Sequence, residues 1–162
     1  MPITICRTAE ITVTLPREQA IALFTAEGER LWAEGWDPRY PEPARRDGSG
    51  AVFTTAHGAH PSTWIMVDHQ PELVRYARVT NELTAGTVAV EVLASDDNAT
   101  RLAVTYDLTA LSRAGEQWLT EFDRDYDTEI ASWATEIASW ATEIAKAVGS
   151  PAPSSEDPTD PD

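Results

Sequence analysis

The chain is short of the residues that staple or metallate small proteins. One cysteine, Cys6, among 162 residues excludes a disulfide framework and any zinc site built on thiolates. Three histidines offer little more: His57 and His60 flank a turn, His69 stands apart, and three or four convergent ligands are lacking. Neither a metal nor a cofactor is expected. Basic residues are also scarce, 12 against 27 acids, for a net charge of −15. Such a chain repels phosphate, which excludes nucleic acid and anionic membrane surfaces as partners. No run approaches the roughly 18 apolar residues that span a bilayer, and the opening MPITICRTAE has no secretory apolar core. A cytoplasmic location is the expectation. Gly-rich phosphate loops and G-x-S-x-G nucleophile elbows are missing too.

What is present is a clear change of hydrophobic period. Ile3, Ile5, Ala9, Ile11, Val13 and Leu15 share one parity, which predicts a long strand with one buried face, broken only by Arg7. Pro16 suits a helix start, so PREQAIALFT reads as a short helix. Gly28 interrupts it, and ERLWAEGW gives a second helical piece ending at Gly35. A Pro- and Gly-rich loop follows over 37–50. Five strands are expected at 51–56, 62–69, 73–80, 87–94 and 101–108, a meander with no intervening helix. From Ser112 the period becomes helical for about 37 residues, with Gly149 and Pro151 as the stop signal. This is an α+β architecture over residues 1–148, followed by an acidic tail, 149–162, expected to be disordered.

The stretches LPREQAIALFT, GERLWAEGWDPRYPEP, GSGAVFTTAH, STWIMVDH, RLAVTYDLTAL and the late EIASW, in this order of elements, resemble the helix-grip superfamily. That superfamily includes START domains, Bet v 1 allergens, polyketide cyclases and chaperone-activator homologues. The likeness is greatest to bacterial polyketide cyclase/dehydrase-like proteins and covers residues ~3–148. It implies a curved six-stranded antiparallel sheet wrapped around the long C-terminal helix, with two short helices after the first strand. It also implies a cavity between sheet and helix that takes an apolar or amphipathic small molecule. Three functions follow: ligand binding, a cofactor-free cyclase or dehydratase reaction, or a protein-interaction module of the chaperone-activator kind.

The aromatic residues are the natural walls of such a cavity, because Trp and Tyr combine apolar area with a polar handle. Trp32, Trp36 and Tyr40 belong to the short-helix and loop region, at the expected mouth. Trp64, Met66, Tyr76 and Tyr106 come from strands, and Trp118, Phe122 and Tyr126 from the long helix. Two strands leave their phase open. In STWIMVDH both parities are apolar, and 73–80 offers either Val74, Tyr76 and Arg78 or Leu73, Ala77 and Val79. If Arg78 faces inward it is a buried cation that needs a carboxylate or a ligand anion. His57, Tyr76, Arg78 and Tyr106 are the polar candidates for a reaction. The acids of EFDRDYDTE (Glu121, Asp123, Asp125, Asp127, Glu129) read as a solvated helix face.

One feature stands apart from any family. Glu129–Thr135 is EIASWAT, and Glu136–Thr142 repeats it. Seven residues add two helical turns and rotate the following face by only about 20°, so the stripe stays in register. A helix of about 55 Å exceeds a sheet about 24 Å across. Its end is therefore expected to overhang, presenting Ile137, Trp140 and Ile144 to a second copy of the chain.

Overall fold

The computed structural model describes residues 3–57 and 60–149; the acidic tail lies outside them from residue 150 onward. Nine elements follow in chain order: β1 (Thr4–Val13), α1 (Arg17–Ala22), α2 (Ala26–Glu29), β2 (Val52–His57), β3 (His60–Gln70), β4 (Leu73–Thr80), β5 (Thr84–Ser95), β6 (Thr100–Ala110) and α3 (Arg113–Gly149). All strand pairs are antiparallel, in the order β1-β6-β5-β4-β3-β2. Sheet and helix together make the helix-grip architecture.

The long alternation at the N-terminus becomes β1, with Ile5, Ile11 and Val13 buried and Cys6 exposed on the other face. The second short helix differs from its expected place. It covers 26–29, one turn earlier, and residues 30–36 form turns. Gly28, expected to separate the two helices, lies inside the second and permits its packing. A Cβ there would lie 1.9 Å from the Ala22 carbonyl oxygen, so only glycine lets α2 pack against the end of α1.

The sheet's inward face and α3 share one core, with Leu102, Val104, Leu108, Leu119, Tyr126 and Ile130 among its most deeply buried members. Within the core, α3 lies against β1 and β6. Arg7 breaks the apolar parity of β1 because it reaches this helix. Its guanidinium donates to Asp123 at 2.9 Å, pairs with Asp127 at 3.1 Å, and sits over the Tyr126 ring at 5.3 Å. Two acids of the expected solvated face therefore anchor the helix to the edge strand.

The overhang begins later than the arithmetic predicts. Ile137 is 2% exposed and belongs to the core, Trp140 is half-buried, and of the three only Ile144 is open, at 48%. The turns at 30–36 supply the missing cover: Trp32 meets Trp133 at 5.9 Å, and Leu31 and Trp32 share a groove with Trp140. Among the described residues no helix is long and apolar enough to cross a membrane.

Candidate ligand-binding cavity

The ambiguous strands resolve to one parity. Ser62, Trp64 and Met66 are buried in β3, and Val74 and Tyr76 in β4, which places Arg78 on the inward face. Ile65, Val67 and Val79 are left on the outside at about 40% exposure. Trp64 is locked from two sides: its Nε1–H donates to Thr55 Oγ1 at 3.0 Å, and its ring stacks on Phe53 at 5.7 Å. Trp36 meets Trp64 edge-on at 5.6 Å.

The segment after α2 is held by its own tryptophans. Trp32 Nε1–H donates to the Leu23 carbonyl and Trp36 Nε1–H to the Ala26 carbonyl, each at 2.8 Å. Leu23 is the C-cap of α1, where carbonyls lack intrahelical partners. The same two rings face a cavity of about 320 Å³. Its opposite wall is α3, through Phe122, Ile130 and Trp133, and Tyr106 of β6 completes the aromatic lining.

Three polar groups lie at the inner end. Arg78 sits over the Trp64 ring at 4.5 Å and reaches Ser62 Oγ at 3.4 Å, but its buried Nε–H has no hydrogen-bond partner among the described residues. Burial lowers the pKa of its guanidinium, a shift opposed by Tyr106 and Glu29. The Glu29 carboxyl is desolvated, which raises it well above the usual carboxylate range, with Arg78 pulling the other way. Burial likewise pushes the Tyr106 hydroxyl up to about 12, again opposed by Arg78. Glu29 and Arg78 form no ion pair with each other or with any other described residue. Burial thus disfavours the charged form of both groups, while their mutual attraction works the other way.

The outer end has the opposite character. Glu34, Glu129 and Glu136 line the cavity while remaining exposed. Partial burial, then repulsion from Glu129 and Glu34, raises the Glu136 carboxyl.

Of the residues expected from sequence, Trp32, Trp36, Trp64, Arg78, Tyr106 and Phe122 do line the cavity. Four do not. Tyr76 is buried behind the wall, donating to the Phe24 carbonyl at 3.0 Å, and Tyr126 donates to the Val104 carbonyl at 2.6 Å. Both hydroxyls are satisfied by backbone, so these rings are core. Met66 faces a separate small void with Phe53 and Ala51. Trp118 stacks on Phe122 at 4.9 Å and borders a shallow outer groove instead. His57 ends β2, and its side chain is outside the description. Sequence reasoning missed Glu29, Glu34, Trp133 and Glu136. Trp133 and Glu136 carried a signal, since both lie in the duplicated heptads; Glu29 and Glu34 carried none. Among the described residues no group of three or more His, Cys, Asp and Glu could hold a metal.

No protein-family model and no curated protein matches the sequence. Solved structures match its fold. The Zhui aromatase/cyclase from a Streptomyces species superposes with a TM-score of 0.61 at 13% identity, covering 91% of this chain and 99% of that one. Norcoclaurine synthase from Thalictrum flavum gives 0.61 at 10% identity, covering 87% and 88%. A conserved protein from Geobacillus kaustophilus gives 0.61 at 11% identity, covering 88% and 97%. At these identities the likeness establishes the helix-grip fold and nothing finer.

Proposed function

We propose that this helix-grip chain binds a planar apolar or amphipathic small molecule in the cavity between the sheet and α3. The observation that carries the reading is the lining. Four tryptophans, Tyr106 and Phe122 surround about 320 Å³, within the roughly 300–1000 Å³ of small-molecule sites. The unpartnered Arg78 Nε–H inside it is a donor waiting for a ligand acceptor, because a buried donor left unsatisfied costs about 1–3 kcal/mol. Calorimetric titration with naphthalene-sized probes tests the reading. Micromolar binding that Trp36→Ala weakens supports it; no binding by any planar probe overturns it.

A second reading, a cofactor-free enzyme of the cyclase or dehydratase kind, is favoured by one observation. Glu29 and Tyr106 are two proton carriers that share the cavity lining with one cation, Arg78. A raised carboxyl is suited to general acid–base work near neutral pH. Glu29→Gln separates the readings, since turnover would be lost while binding stays.

A further inference from the structure

We infer that the outer end of the cavity is built for an organic cation: an apolar or aromatic amine whose ammonium sits among Glu34, Glu129 and Glu136, beside Trp32 and Trp133. This rests on the cavity being a binding site and names the class of molecule it takes.

The duplicated heptad supplies the geometry. Glu129, Trp133 and Glu136 are spaced i, i+4, i+7 on α3, so they stand on one face of the helix. All three line the cavity, and Glu34 and Trp32 approach from the turns opposite. Glu136 occupies in the second EIASWAT the place of Glu129 in the first. The repeat has therefore set a second carboxylate two turns along the same wall. It continues outward, because Trp140 and Glu143 border the adjoining groove with Glu34 and Glu136.

These acids lack a cation of their own. Among the described residues none of the three forms an ion pair. Among the described residues Arg78 is the one basic side chain in the lining, and it lies at the inner end. Like charges converging on one mouth repel, and they do so in the field of a chain with net charge −15. An ammonium relieves the repulsion and gains cation–π attraction from the tryptophans, strongest where water is displaced.

The inner end gives an independent indication and fixes the orientation. The Arg78 guanidinium repels the ammonium, and its buried Nε–H, without a partner among the described residues, is free to donate to the opposite terminus, an oxygen acceptor on the far side of the apolar body. The ligand thus carries its charge outward and its acceptor inward.

The test is calorimetry of the full chain with three probes of one body: 1-naphthylmethylammonium, 1-naphthalenemethanol and 1-naphthoate. At low salt the ammonium should bind about tenfold tighter than the alcohol. The double variant Glu129→Gln, Glu136→Gln should abolish that preference. A control with equal charge loss on the outer sheet face, Glu91→Gln with Asp107→Asn, should retain it. Equal affinities in the parent chain, or a preference that survives the double variant, would overturn the inference while the cavity reading stands. Absence of binding by all three probes overturns both. If the double variant does not fold, salt decides instead: the ammonium advantage must shrink as salt rises, and constancy refutes it.

Discussion

The two inward-facing arginines of the sheet divide the molecule into a closed side and an open one. Arg7 on β1 is met by Asp123, Asp127 and the ring of Tyr126. Arg78 on β4 is met by the face of Trp64 and a serine hydroxyl, and forms no ion pair among the described residues. Around Arg7 the sheet and the first half of α3 are packed, and buried hydroxyls such as Tyr126 find backbone carbonyls. Around Arg78 the helix stands off the sheet, and tryptophans from the turns at 30–36 close the gap only in part. The same residue type in the same kind of position is a strut in one region and a ligand handle in the other. The difference is whether the facing element supplies its countercharge, since an unpaired buried charge is a cost that folding alone does not repay.

The largest effect that would test this division is on packing. Leu119, fully buried on the closed side, should lose about 3 kcal/mol of stability on Leu119→Ala. Phe122→Ala, one turn on and facing the cavity, should lose about half as much, because its ring already borders empty volume. Urea denaturation of both variants measures this, and equal losses would erase the distinction between the sides.

A change of sign comes next. Arg7→Met should lower the melting temperature, through loss of its two carboxylate contacts. Arg78→Met should raise it by about 2–4 °C, as an uncompensated charge gives way to an apolar chain on Trp64. The gain in stability should come with weaker probe binding, the usual conflict between stability and a working site. Thermal melts and calorimetry on the same samples check both halves.

Glu29 provides a smaller, pH-dependent effect. Burial holds its folded carboxyl above the ordinary 4.5, with Arg78 opposing, so the folded state keeps a proton that the unfolded state releases. Stability is therefore full below the ordinary value and falls as pH rises toward the raised one. Glu29→Gln removes that slope. Parallel urea melts from pH 5 to 8 should show the parent chain losing ground to the variant. Parallel curves would mean that Glu29 titrates normally.

The helix end should give the smallest effect. With Ile137 in the core, self-association rests on Trp140 and Ile144 alone, and we propose it as weak and favoured by salt, which screens the charge of −15. Sedimentation velocity should show a dimer fraction that grows with salt and is lost in Ile144→Ser. A monomer at every salt concentration removes the proposal.

The walls of the cavity were far more legible than its polar groups. Trp64, Tyr106 and Phe122 announce themselves as large apolar residues on periodic elements. Tyr76 and Tyr126 look the same in sequence, yet their hydroxyls reach the carbonyls of Phe24 and Val104, partners far away along the chain. Glu29 looks like any surface acid of a short helix. That it shares a cavity with Arg78 of β4 and Tyr106 of β6 is something no local pattern records.

The sequence alone determined the architecture and the register of the long helix. Alternation in β1 and β6 and a 3.6-residue stripe from Ser112 are local consequences of backbone geometry, and each buries one face whatever lies opposite. Tertiary structure decided the parity of β3 and β4, where apolar residues on both faces leave no preference until a partner layer is chosen. It also decided which arginine is paired and how far α3 is covered. Those outcomes depend on the meeting of residues such as Arg7 with Asp123, or Trp32 with Trp133. Such pairs are separated by a hundred positions or more, and their energy exists only once the chain has closed on itself.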